Sequence, residues 1–157
     1  MKKAWMSLLL VTITIMMLGC GAKENKTEQM SEATLGGRLA NTFLAEIEKS
    51  TDLEAVANTI SEGSGYDCLV MPVSEGYLNG FSEEITGFQS GVQFAPMIGS
   101  IPFVGYVFEV EDPDAFKEKL LSVADPRWNI CTEAAETVSV TSGKYVFFTM
   151  CPDEEEQ

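Results

Sequence analysis

Apolar positions recur at helical spacing in three places along this chain and in strand-like runs between them. Phe43, Leu44 and Ile47 stand four, five and eight positions after Leu39, which lays one apolar stripe along a helix, with Glu46 and Glu48 on the opposite face. Thr51-Asp52-Leu53-Glu54 reads as a capping box, and Leu53, Val56 and Ile60 carry a second helix that Gly63 ends. Asp112-Pro113-Asp114 supplies an N-cap, a first-turn proline and a first-turn acid. Phe116, Leu120 and Val123 then keep the helical period until Pro126 stops it.

The strand-like runs are of two kinds. Cys68, Leu69, Val70 and Met71 form a continuous apolar run within Tyr66 to Val73, which predicts a buried strand with Pro72 near an edge or an exit. Gly91 to Ile98 and Ile101 to Val110 flank Gly99-Ser100, a pair suited to a type II′ hairpin turn. Thr137 to Thr141 and Lys144 to Met150 flank Ser142-Gly143 as a second hairpin. Within the glycine-rich stretch from Gly76 to Gly87, Ser82-Glu83-Glu84-Ile85 is read as one helical turn. Two helices, a strand, a hairpin, a helix and a hairpin predict an α+β fold: an antiparallel sheet of about five strands with helices packed on one face.

The first twenty residues carry a different signal. Lys2 and Lys3 precede a largely apolar stretch of fifteen residues, Ala4 to Leu18, and Gly19 is the small residue a signal peptidase needs before its cut. The run is shorter than the ~20 residues a membrane-spanning helix requires. Met17-Leu18-Gly19-Cys20 resembles the lipobox of bacterial lipoproteins, with Met17 where leucine is commonest and Leu18 where a smaller residue is commonest. The resemblance implies a signal peptide at 1–19 and a Cys20 that bears a diacylglycerol and becomes the mature N-terminus, on the extracytoplasmic face of the cell membrane. Residues 20–34 then form the lipidated cysteine and a polar tether, 35–152 a single domain large enough for one hydrophobic core, and 153–157 an acidic tail.

Charge narrows the choice of partners. The chain has a formal charge of −14, and loss of Lys2 and Lys3 leaves eight basic against 24 acidic side chains, or −16. Such a surface repels phosphate backbones and anionic lipid heads, so a nucleic-acid partner and a polybasic membrane-surface role are excluded.

The chemistry of the side chains narrows it further. The sequence has no histidine, which removes Ser-His-Asp and Cys-His catalysis and the commonest zinc ligand. No phosphate-binding or dinucleotide glycine pattern is present, and no cofactor or metal is expected. Carboxylates cluster at Glu83-Glu84 and at Glu109, Glu111, Asp112 and Asp114, and these are the residues a carboxylate-based hydrolase would have to use. Cys68, Cys131 and Cys151 remain after lipidation. In an exported protein a disulfide between Cys131 and Cys151 is expected, since the two lie on either side of the last hairpin.

Aromatic and aliphatic residues are densest from Phe81 to Phe108, too many for a single sheet face. Met97, Ile98, Ile101 and Phe103 are therefore expected at a hairpin tip, as a surface for a partner or an apolar ligand, with Arg127-Trp128 at its rim. Tyr77-Leu78-Asn79-Gly80-Phe81, Phe94 to Gly99, Arg127 to Cys131 and Val146 to Cys151 resemble segments of uncharacterised lipoproteins of Gram-positive gut anaerobes. That group has no assigned activity. The expectation is a lipid-anchored extracytoplasmic binding domain whose partner is an envelope protein or apolar ligand, with a cell-envelope hydrolase working through paired carboxylates as the alternative.

Overall fold

The computed structural model describes residues 30–152. Three helices, α1 (Leu35–Ile47), α2 (Leu53–Glu62) and α3 (Pro113–Val123), pack on a sheet of β1 (Cys68–Val73), β4 (Ser90–Pro96), β5 (Val104–Glu109), β6 (Glu136–Ser142) and β7 (Tyr145–Cys151). The strand order is β1-β4-β5-β7-β6, every neighbour antiparallel, and β2 (Gly76–Tyr77) pairs with β3 (Glu84–Ile85) in a separate small ladder. The fold is the α+β architecture that the periodicities predict.

Both faces of the sheet are covered. Leu39, Phe43, Val56 and Ile60 of the first two helices bury against Val92, Phe94, Val107, Val140 and Phe147. Phe116, Leu120 and Val123 of α3 bury with Tyr106, Phe108, Val146 and Phe148 on the opposite face. Phe147 and Phe148 point into different cores because side chains alternate along a strand. The helices thus divide between the faces instead of sharing one. Since β7 lies between β5 and β6, the β5-α3-β6 connection has to cross a face of the sheet, and α1 and α2 already occupy the other.

Local chemistry explains where several elements start and stop. Asp112 accepts from Ala115 N at 3.1 Å, with Pro113 in the first turn of α3. Asp52, and not Thr51, caps α2, accepting from Glu54 N and Ala55 N. The capping-box reading is therefore one residue early. At α1, Thr34 Oγ1 accepts from Gly37 N at 3.2 Å and donates to Glu136 Oε1 at 2.7 Å, while Glu136 Oε2 accepts from Gly36 N at 3.0 Å. A carboxylate from β6 thus meets the positive end of the helix. A Cβ on Gly37 would sit 1.8 Å from Ser31 O, so only glycine lets the entering chain pass this close.

Three further expectations change. Glu84 and Ile85 form a strand where one helical turn is expected, because Gly76 and Tyr77 pair with them. β1 is an edge strand, with Leu69 and Met71 exposed and only its opposite side half-buried. Pro72 sits on that edge, where a missing N–H is tolerated. The folded unit begins before Leu35, since Met30 both donates to and accepts from the Asn41 side chain. The signal peptide at 1–19, Cys20, the rest of the tether through 29 and the acidic tail at 153–157 lie outside the described residues.

Candidate functional site

The hairpin expected around Gly99-Ser100 has the expected register, and Ile101 N donates to Ile98 O at 3.4 Å across that pair, but the turn is not of type II′. Phe94 opposite Gly105 is the last β4–β5 pair, so residues 97–103 form an open loop, and Gly99 does not adopt a positive φ. Pro96 and Pro102 offer no N–H to continue the ladder. The chain beyond Phe94 stays instead with β1, where Pro96 faces Cys68 and Met97 N donates to Asp67 O at 3.3 Å.

This loop meets a second one. Residues 124–135 connect α3 to β6, and Asn129 Nδ2 donates to Gly99 O while Thr132 Oγ1 donates to Ser100 O at 3.2 Å. The second loop is braced from below by Asp125 N to Gly80 O and Ala134 N to Pro126 O, both 2.9 Å. Trp128 packs half-buried against the α3 core. Arg127 is held within its own loop by Glu133 at 2.8 Å, and that carboxylate keeps the guanidinium pKa above its ordinary value. A depression of 230 Å³ opens here, lined by Arg127, Asn129, Ile130, Cys131, Thr132 and Glu133.

The four residues predicted to form an apolar surface divide. Met97 is 68 % exposed and Ile98 66 %, whereas Ile101 is half-buried against the α1–α2 core and Phe103 is 2 % exposed. Phe103 belongs to the core because it stacks beside Phe94 and Tyr66, at centroid distances of 5.9 and 5.2 Å. Ile130, 98 % exposed, replaces the buried pair at the surface. It escapes a reading by periodicity, since a lone isoleucine in the polar run Arg127 to Glu133 belongs to no helix or strand pattern. The hydrogen bonds from Asn129 and Thr132 hold its loop against the loop that carries Met97 and Ile98.

The cysteines stand apart. No disulfide joins the three described cysteines: Cys131 is exposed, Cys68 half-buried and Cys151 buried. The last hairpin turns at Gly143-Lys144, with Gly143 at φ +57° and Ser142 opposite Tyr145, so Cys151 faces Glu136 and its Sγ lies 3.5 Å from Glu136 Oε2. Cys131 falls in the loop before that pairing begins. Burial pushes the Cys68 thiol pKa up, Ser64 at 3.7 Å lowers it less, and the Asp67 charge adds to the rise. A nucleophilic cysteine needs the opposite shift.

Two of the clustered carboxylates, Glu109 and Asp112, are engaged in structure. Glu109 pairs with Lys144 and accepts from Ser90 Oγ at 3.2 Å, and the Lys144 hydrogen bond lowers its pKa. Asp112 caps α3, and Glu84 lies in β3. Among the described residues no group of three or more Cys, Asp or Glu side chains is placed to hold a metal ion, and no helix is long and apolar enough to cross a membrane. The buried Tyr106 hydroxyl lies 2.8 Å from Asn79 O and from the Gln93 amide, which pins the segment carrying β2 and β3 to the sheet.

No protein family, curated protein or solved structure matches this chain. The residues themselves carry what can be said of its function.

Proposed function

We propose that this protein is a lipid-anchored extracytoplasmic binding domain, held by Cys20 and making contact through the end of the sheet where the two loops meet. The observation that carries this reading is the exposure of Met97, Ile98 and Ile130 together on loops joined by hydrogen bonds. No charged residue occurs from Ile85 to Phe108 in a chain with 34 charged side chains, ten basic and 24 acidic. Complete covering of an aliphatic side chain of this size is worth about 1.5–3 kcal/mol, enough for three of them to steer an association. The anchor supports the same reading, because two acyl chains hold a protein on a membrane stably where one gives marginal binding.

Cys20→Ala tests the anchor. The variant is expected to leave the detergent phase and to remain unprocessed or be released, and unchanged partitioning would contradict the assignment.

A further inference from the structure

The place where the chain leaves the domain suggests what the exposed loop end touches. Thr34 and Gly36 are hydrogen-bonded to Glu136, Glu136 faces Cys151 across β6–β7, and the neighbouring Met150 faces Val104 across β7–β5. Val104 directly follows the loop of residues 97–103. With strands ~4.8 Å apart, the start of α1 lies about 10 Å across the sheet from the root of the exposed loop, at the same end of the molecule, and Met30 is held beside Asn41, about 9 Å further along α1. From Cys20 to Met30 the chain has ten residue steps, at most about 35 Å when fully extended. A domain of this size has a radius of gyration near 14 Å, so the link cannot exceed roughly one molecular diameter.

We propose that Met97, Ile98 and Ile130 seat in the interfacial layer of the same bilayer that holds the Cys20 lipid, setting the orientation of the domain on the membrane; this rests on the anchoring reading above. The occupant is a phospholipid surface because the anchor delivers one to this end of the molecule, and because the contacting loop is uncharged. Residues 97–103 contain no charged side chain, and in the facing loop Arg127 is paired with Glu133, which leaves the Asp125 carboxylate, bonded to Arg127 N, as the one unpaired charge. The attraction is apolar and owes nothing to basic residues, as the −16 charge of the mature chain requires. Three aliphatic side chains on two braced loops add a second point of attachment to the acyl anchor.

The mature chain carries its own reporter. Trp5 lies in the expected signal peptide, so Trp128, two residues from Ile130, is the single tryptophan after Cys20. The test places the lipidated mature protein in phosphatidylcholine vesicles with and without bromine on the acyl chains. It reads flotation with the vesicles and Trp128 fluorescence for the native chain and for Met97→Ser/Ile98→Ser/Ile130→Ser. Loops seated ~5–10 Å into the interface should lose about half of their Trp128 emission to brominated lipid. The triple variant should float equally well through Cys20 and lose the quenching. Failure of the native protein to float would overturn the anchor and this proposal with it. Flotation without quenching would overturn the seating alone, leaving the loop end to a protein partner. Equal quenching of the triple variant would show that other residues touch the lipid.

Discussion

One uncharged stretch of this chain ends in two opposite environments. Residues 103–108 carry Phe103, Val104, Tyr106, Val107 and Phe108, all buried, while Met97 and Ile98, a few residues earlier and no less apolar, stand in solvent. The difference lies in pairing. From Gly105 onward β5 is paired on both sides, by β4 and β7, and covered above and below by the two cores. Residues 97–103 project past the last β4–β5 pair; Ile101 and Phe103 turn back against the α1–α2 core, and Met97 and Ile98 stay outside it. Apolar character therefore serves folding at the root of the hairpin and stays exposed at its tip.

Substitutions can break that contrast from either side. The largest effect is expected from Gly105→Val. Phe94 covers Gly105 so closely that a Cβ there would lie 2.1 Å from the ring, and Phe103 and Phe147 wall the ring in at 5.9 and 6.4 Å. Overpacking usually costs ~1–3 kcal/mol, and here nothing can yield, so the variant is expected to exceed that range and to lack a cooperative transition by circular dichroism. Next come Phe103→Ala on one face and Phe116→Ala on the other, each expected to cost about 3–5 kcal/mol in denaturant melts. A loss below about 1 kcal/mol at either would mean that its core is loosely packed.

Glu136→Ala removes the acceptor for both Thr34 Oγ1 and Gly36 N at the start of α1, and a cost of about 1–3 kcal/mol is expected from the donors left behind. A smaller effect belongs to Glu109 and Lys144 at the far end of the sheet. Glu109 has a lowered pKa in the folded state, so its contribution is present above the unfolded carboxylate pKa and disappears as pH falls through the folded value. Lys144 has a raised pKa, and its contribution disappears only as pH rises through that value at strongly alkaline pH. Lys144→Met should therefore flatten the acid limb of the stability profile slightly; an unchanged limb would show that solvent screens the pair completely.

Much of the fold is legible in the sequence, and the failures share a cause. α3 is readable because its cap, its proline and its apolar spacing agree locally, and α1 and the strand runs show their periods without help from distant residues. What depends on partners is not readable. Cys68 to Met71 read as a buried strand because the run is apolar throughout, yet β1 ends up at an edge with Leu69 and Met71 exposed. The division of helices between two faces follows from the strand order, which no single segment encodes. For the candidate site, Met97 and Ile98 are legible as a hairpin tip. Phe103 is misassigned because two prolines open the turn and let it fold inward against Phe94. Ile130 is invisible until Asn129 and Thr132 hydrogen-bond across to the other loop.

The most direct test of the contrast between root and tip is the denaturant midpoint of Met97→Ser/Ile98→Ser/Ile130→Ser set beside that of Phe103→Ala. Each exposed substitution is expected to change stability by no more than about 0.5 kcal/mol, so the triple variant should melt close to the native protein while Phe103→Ala falls far below it. A triple variant that loses as much stability as Phe103→Ala would show that the tip is part of the core, and the contact surface assigned to it would not exist.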